Sequence, residues 1–428
     1  MTDHYDVVVA GAGPAGAQCA RDLAARDYEV LVLETEAEDE FPRQSNKSTA
    51  GTFPSMMASF NVPSDVVMNY TDNVVLESPN DHYVQERAGA VLEFADFKQW
   101  LVAEGRSKGA EYWFDARVAN PIMDGGEIVG VEYNGSEEVY ADVVVDATGP
   151  SAPLARELGV TDLERRNQAI GIEYEFEGLG VDHDRYADLT DAMMLRLDHD
   201  LAPGGYSWIF HTGEDTAKVG LCYIQNERFQ SRGKDGMTID DHLDYWLETD
   251  PRFENATKLE GKMHRGSAHI QMPGTLSTDN FMAIGDTVPT IDPLWGEGIH
   301  KCMESGRVAA VTADKCLTPN EPDTSAENMA TYDDLWHDRV APRMRNRLLM
   351  TKLLYLAPNE RYDQLMADLR QTPDETLARA NKGSPLAIGK LIHTGDLPLL
   401  VDYAKQRFDG AGANPASAVA AIAKLFQN

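Results

Sequence analysis

Three glycines at G-x-G-x-x-G spacing, Gly11, Gly13 and Gly16, follow the apolar run Val7 to Ala10 and precede a stretch of helix formers. Each has a mechanical task. Gly11 permits a tight turn, Gly13 lets a diphosphate approach the backbone, and Gly16 lets helix and strand pack closely. Ala15 lies between them in the first turn of the helix, whose N-terminus favours negative charge. A second apolar run, Val30 to Leu33, ends at Glu34, where a carboxylate can accept hydrogen bonds from an adenosine ribose. Strand, glycine loop, helix, strand and acid together predict a dinucleotide-binding unit.

A second segment narrows the dinucleotide. In 280-NFMAIGDTVPTIDPLWGEGIHKCMESGRVAA-310 a short apolar strand meets Gly285-Asp286, then a Pro/Gly-rich loop, then a helix starting near Gly298. This resembles the "GD" signature of the flavoproteins that include the aromatic hydroxylases and the geranylgeranyl reductases. The resemblance implies FAD, with Asp286 on the ribityl chain. It places the Pro293–Gly296 loop and the backbone of Gly298 and Ile299 at the pyrimidine end of the flavin. A helix N-terminus there would stabilise the charge of a reduced flavin. The strand 142-DVVVDATGPSAPLAR-156 resembles the one that closes the cofactor sheet in these enzymes. In the family the residue at Val118 touches the adenine through its backbone.

The third constellation is 203-PGGYSWIFHTGED-215. On a strand, Tyr206, Trp208 and Phe210 point to one face. Spacing leaves two readings open: ordinary core, or the wall of a pocket for something large and apolar. Geranylgeranyl reductases carry P-x-x-Y-x-W-x-F-P, and Pro203, Tyr206, Trp208 and Phe210 match it, with His211 replacing the last proline. Flavin-dependent halogenases carry W-x-W-x-I-P, which would need Trp at 206 and Ile at 210. The resemblance therefore implies that the triplet is a prenyl-binding wall, where burying apolar surface yields about 25 cal/mol per Å² without directional demands. It spans most of residues 1–320.

Two positions depart from the family. Its Cys-Gly pair after the second strand becomes Ala50-Gly51, so no thiol stands there for a mechanism that would use one. Its Asp-Arg pair becomes Glu93-Phe94, which removes one cation from the diphosphate unless Arg43 or Lys47 replaces it. No catalytic residue is assignable. His211 and bound water are the candidates for the proton donor beside the flavin N5.

Composition sets the outer limits. Asp plus Glu number 70 against 38 Lys plus Arg, a net charge of −32 in 428 residues. Such a surface repels nucleic acid. Spread along the chain, the excess suggests a salt-rich cytosol such as that of halophilic archaea. Cys19, Cys222, Cys302 and Cys316 show no metal-ligand spacing, so no metal site is expected. No run of about 18 apolar residues suggests a membrane span, and no secretory signal is expected. A cytoplasmic protein is the expectation.

The elements that must position these residues read as a mixed α/β plus α+β fold. A Rossmann-like FAD-binding domain of the p-hydroxybenzoate hydroxylase type is expected at residues 1–170 plus 276–320. An antiparallel-sheet substrate domain is inserted at 171–275, with one face over the flavin. A helical C-terminal region, 321–428, is expected to pack over the cofactor domain, with helices at Tyr332–Val340, Arg345–Ala357, Tyr362–Leu369, Ala387–Leu391 and Ala416–Phe426. The resemblance implies hydride transfer from reduced FAD to C=C bonds of geranylgeranyl chains in archaeal membrane lipid. Polyprenyl phosphate or a menaquinone tail are alternative substrates, and a monooxygenase or halogenase is the rival chemistry. No second glycine motif offers an NADPH site, so ferredoxin or a transiently docked NAD(P)H would supply electrons. The segment 385-PLAIGKLIHTGDLPLLVDY-403 could rest on a membrane surface, though it lacks a basic face. Arg339, Arg343, Arg345 and Arg347 form a local basic cluster, read as a solvated face or a contact for lipid phosphate.

Overall fold

The computed structural model describes residues 3–43, 49–318, 321–396 and 398–399. The chain divides into two compact units, the first built from Met1–Met68, Leu92–Gln168 and Gly266–Pro342. Its central strand, His4–Ala10, lies parallel to Val30–Leu33 on one side and to Glu137–Asp146 on the other. Glu111–Trp113 extends the sheet beyond Val30–Leu33, and Phe281–Ala283 extends it beyond Glu137–Asp146, both parallel. These strands are near-continuous apolar runs because both faces are covered; Val7, Val8 and Val9 are completely buried. A hairpin, Val118–Asp124 with Glu127–Tyr133, pairs antiparallel onto the start of Glu137–Asp146. The helices Pro14–Ala24 and Ile299–Leu317 cross so closely that a Cβ on Gly306 would come within 2.2 Å of the Ala15 carbonyl oxygen. This is the Rossmann-like architecture expected from the glycine motif.

The second unit comprises Asn69–Val91, Ala169–Arg265 and the described residues from Arg343 onward. Its sheet runs in the order Thr257–His269, Gln168–Glu177, Thr216–Ile224, Gly205–Gly213, Ala192–Arg196, Val67–Glu77, His82–Leu92. Most neighbours are antiparallel, as alternation suggests, but Ala192–Arg196 runs parallel to Val67–Glu77. One face packs on the helix Ile239–Thr249. Its core contains Ile172, Phe176, Ile209, Val219, Leu221, Ile239, Leu243 and Trp246. Thr238 and Asp241 cap that helix reciprocally, each side chain accepting from the other's backbone N–H.

The domain organisation differs from the sequence expectation. Residues 69–91 supply strands to this second sheet. The C-terminal helices from Arg343 group with the second unit and not with the cofactor unit. Hydrogen bonds explain both: Asp363, on the helix Asn359–Gln371, accepts from Ser78 Oγ at 2.6 Å and from the Asn80 backbone at 3.0 Å. His199 meets the Ala357 carbonyl at 2.8 Å and the Tyr362 hydroxyl at 3.1 Å. The expected Tyr332–Val340 helix is a short helix, Thr331–Leu335, running into a π turn, Trp336–Val340. The region 387–391 holds only the short helix Pro385–Ile388. The expected helix at 416–426 and the end of the 385–403 segment lie outside the described residues.

Candidate functional site

The glycine loop is built as its spacing requires. Gly11 has φ +105°, and a Cβ there would lie 2.5 Å from the Ala147 carbonyl oxygen. A Cβ on Gly16 would meet the Gly11 carbonyl oxygen at 2.1 Å, so close helix–strand approach excludes any side chain. Gly13 is different: a Cβ there meets nothing within 4 Å. The space beside Gly13 opens at the start of the helix Pro14–Ala24, which no side chain caps. An uncapped helix N-terminus beside open space suits a diphosphate.

Glu34 is buried and shapes this loop directly. Its Oε2 accepts from the Ala12 N–H at 2.8 Å and its Oε1 from the Glu36 N–H at 3.1 Å. Carboxylate oxygens have further lone pairs, so the same group can still accept from a ribose hydroxyl. Val118 is buried at the start of its strand, paired with Tyr133.

Opposite the glycine loop within this unit stands the Gly285–Asp286 turn. Gly285 has φ +59°, and its Cβ position falls 2.7 Å from Ala15 Cβ, so the turn rests on the glycine-loop helix. Ser305 Oγ accepts from the Gly285 N–H at 2.9 Å, and Thr290 Oγ1 donates to the Gly285 carbonyl at 2.6 Å. Asp286 is half-buried, and burial pushes its carboxyl up to about 6, against an ordinary 3.8. Its hydrogen-bond donor within the unit is the weak Cys302 thiol, at 3.7 Å. A ligand hydroxyl would be a stronger donor to this carboxylate.

The loop that follows is a locked turn. Asp292 Oδ1 accepts from the Leu294 and Trp295 N–H groups at 3.0 and 3.1 Å, and Gly296, at φ +66°, donates to the Asp292 carbonyl. It leads to Gly298, the uncapped N-cap of Ile299–Leu317. The unit thus presents the uncapped N-termini of Pro14–Ala24 and Ile299–Leu317 together with the Asp286 carboxyl, whose pKa burial raises. The donor set fits a flavin nucleotide.

Sequence reasoning passed over one brace. Asp146, fully buried at the end of its strand, accepts from Thr148 N–H and Oγ1 and from the Ala155 N–H. Burial raises its pKa, and those hydrogen bonds pull against the rise. Gly149 N–H in turn donates to Thr287 Oγ1 at 3.1 Å, tying this loop to the Gly285–Asp286 turn. The Asp-Ala-Thr-Gly quartet was the signal for it.

The two departures have clear structures. Ala50 adopts φ +56° and its carbonyl accepts from the Leu92 N–H, next to Gly51. Glu93 caps the helix Phe94–Ser107 by accepting from the Ala95 N–H, and Phe94 is buried and stacked on Phe97. The position is thus an aromatic packing site. Arg43 is exposed, 4.0 Å from Glu40, and Lys47 lies outside the described residues.

In the second unit parity shows which face of the sheet the aromatic triplet takes. Ile209 belongs to the helix-packed core, so Tyr206, Trp208 and Phe210 point the other way. Tyr206 and Phe210 are half-buried and Trp208 is buried; the Tyr206 and Trp208 rings stand 5.8 Å apart. The indole N–H of Trp208 donates to Glu173 Oε2 at 2.9 Å. Alternation in 171-GIEYEFE-177 suggests water for Glu173 and Glu175, yet both are buried. A period of two separates the faces without saying whether the polar one stays wet.

His211 does not share the aromatic face. It has the parity of Ile209, and its ring nitrogens meet the Thr190 and Glu214 carbonyls. Its role is to tie backbone together, which removes it as proton donor to a substrate on the triplet face. The basic cluster is also divided: Arg339 pairs with Glu304 at 2.8 Å, Arg343 donates to the Lys382 carbonyl, and Arg347 is buried. Among the described residues no group of His, Cys, Asp and Glu could hold a metal, and no helix is long and apolar enough to cross a membrane.

Comparison with known proteins agrees with this geometry. Residues 172–262 match the geranylgeranyl reductase catalytic domain, and residues 6–202 match the lycopene cyclase protein family. A digeranylgeranylglycerophospholipid reductase from Haloferax volcanii is 70% identical, over 95% of this chain and 100% of the relative. A second from Methanopyrus kandleri is 29% identical over 94% of this chain and 98% of its own length. The fold resembles a geranylgeranyl bacteriochlorophyll reductase-like protein from Thermoplasma acidophilum, with a TM-score of 0.78 at 22% identity, covering 91% of this chain and 100% of that one. It also resembles a flavin-dependent brominase, with a TM-score of 0.70 at 21% identity and 99% coverage of both chains. The flavoprotein fold, the uncapped helix starts and the Tyr206–Phe210 triplet converge with this kinship: the chain belongs to the geranylgeranyl reductase family, among the digeranylgeranylglycerophospholipid reductases.

Proposed function

We propose that this chain reduces isolated C=C bonds in the geranylgeranyl chains of a digeranylgeranylglycerophospholipid, with FAD as its flavin. The carrying observation is the aromatic face: Tyr206, Trp208 and Phe210 stand on the side of their sheet away from its helix-packed core. When bound and reduced, a flavin would supply the hydride. An unactivated alkene has no carbonyl for an oxyanion hole, so the protein's task is to hold the double bond in place and exclude water. The aromatic face does the holding through apolar burial.

On this reading the diphosphate lies beside Gly13 and the first turn containing Ala15, with Gly11 and Gly16 shaping the loop. Glu34 takes the ribose and Val118 contacts the adenine. Asp286, on the turn that Gly285 shapes, would take the ribityl chain, and Gly296, Gly298 and Ile299 would stand at the pyrimidine end. Ala50 and Gly51 would stand beside the flavin without offering a thiol. Ferredoxin or NAD(P)H delivers the electrons. The protein works in a salt-rich cytosol and meets its lipid at the membrane surface.

The fold is shared with flavin-dependent halogenases, but Tyr206 and Phe210 stand where that motif requires Trp and Ile. Two experiments test the reading. Heat release of the bound flavin distinguishes FAD from FMN. Anaerobic competition among unsaturated archaeal lipid, polyprenyl phosphate and menaquinone ranks the substrates; oxygen-dependent turnover would instead favour the monooxygenase or halogenase reading.

A further inference from the structure

We infer that Glu173 is a positioning residue for Trp208 and, through it, for the prenyl chain; the second half rests on the function proposed above. Glu173 and Trp208 lie on different strands, with Thr216–Ile224 between them, and both are in register with Gly220 of that middle strand. Their 2.9 Å hydrogen bond therefore spans a strand, so the indole must lie across it. Gly220 leaves the space: a Cβ there would come 2.4 Å from Trp208 Cζ2. Gly171 flanks the far edge of the ring, its Cβ position 3.8 Å from Cη2.

Packing alone would not require an acid at this place. Burying a carboxylate is costly unless it is hydrogen-bonded, and Glu173 is only 3% exposed. What the side chain adds is an oxygen acceptor for one particular indole N–H. A tryptophan side chain has several staggered rotamers. The Glu173 acceptor selects the one that lays the ring over Gly220, with the Tyr206 ring beside it. A prenyl double bond held against that ring takes its position from Glu173 at one remove.

The test uses full-length protein in molar KCl, with E173L, E173Q, W208F and the E173L/W208F pair. E173L is expected to slow turnover roughly tenfold, because small misplacements of a reacting bond carry penalties of that order or more, and to accumulate partly reduced lipid. E173Q, which keeps an oxygen acceptor, should recover most of the loss. The double variant should be no slower than W208F, since the two residues act as one unit.

A second readout needs no substrate. The Trp208 indole N–H cross-peak, identified by its absence in W208F, should exchange slowly in wild type, move in E173L and move far less in E173Q. Multiplying effects in the double variant would overturn the proposal. So would fast exchange of that N–H in wild type, or an E173Q as slow as E173L. If E173L does not fold, E173A takes its place, and the wild-type exchange measurement stands by itself. Failure of wild type to reduce any prenyl lipid would overturn the functional reading and the second half of this inference, leaving the Trp208 anchor to the exchange measurement.

Discussion

Trp208 and Ile209 are consecutive residues that stand on opposite faces of one sheet. Ile209 is fully buried in the helix-packed core, while Trp208 bonds the buried Glu173 on the other face. On the proposed function, one strand thus serves stability and substrate through alternate residues.

Truncating each residue should separate the two roles. Ile209→Ala should destabilise the protein by about 2–5 kcal/mol, the ordinary cost of emptying a packed aliphatic site, without selectively impairing the turnover of folded protein. Trp208→Ala should retain flavin and lower prenyl turnover. Thermal denaturation, flavin absorbance and a lipid assay on both variants check this; loss of flavin from Trp208→Ala would return that ring to the core.

The glycine loop offers a second pair. Gly16→Ala drives a methyl into the Gly11 carbonyl and should abolish the folded cofactor unit. Gly13 has φ −68° and open space beside it, so Gly13→Ala should fold. The methyl would occupy the space that a bound diphosphate needs, and flavin retention should fall by roughly tenfold or more, about 1.4 kcal/mol per factor of ten. The flavin-to-protein absorbance ratio, read beside the melting temperature, distinguishes the two.

Asp286 predicts a pH dependence. Its folded pKa, about 6, lies above the ordinary 3.8, so the folded state binds the extra proton between those values. Stability from this group is fully present below the lower value and is lost as pH rises through the higher one. Asp286→Asn should therefore raise the melting temperature of flavin-free protein at neutral pH, with the gain shrinking as pH falls toward 4. The same substitution should weaken flavin binding. A gain that grows on acidification would contradict the assignment.

Salt tests the charge reading. With a net charge of −32, self-repulsion opposes compactness until counterions screen it. At about 1 M salt the screening length is about 3 Å. The melting temperature should climb steeply with KCl, and flavin should be lost first at low salt. A flat salt series would count against a salt-rich cytosol.

Much of this is legible in the chain itself. The cofactor unit announces its strands as apolar runs and its loop as glycines, because tight turns and close helix–strand approach leave few other residues possible. The aromatic triplet is legible as a face, but its side of the sheet needs Ile209 and the helix Ile239–Thr249 as reference. Less legible is the membership of residues 69–91 and of the C-terminal helices. Their place depends on long-range bonds such as Asp363 with Ser78, which no local period encodes. Glu173 escapes the pattern for a related reason: alternation marks a second face, and only tertiary structure shows that face to be buried.

The central claim is that a reduced flavin on this chain saturates prenyl double bonds. Its most direct test is anaerobic incubation of dithionite-reduced protein, in molar KCl, with unsaturated archaeal phospholipid, followed by mass analysis of the chains. The expected result is stepwise addition of two hydrogens per double bond, dependent on bound FAD and diminished in Trp208→Ala. Flavin-loaded, fully reduced protein that leaves every prenyl chain unchanged would contradict it.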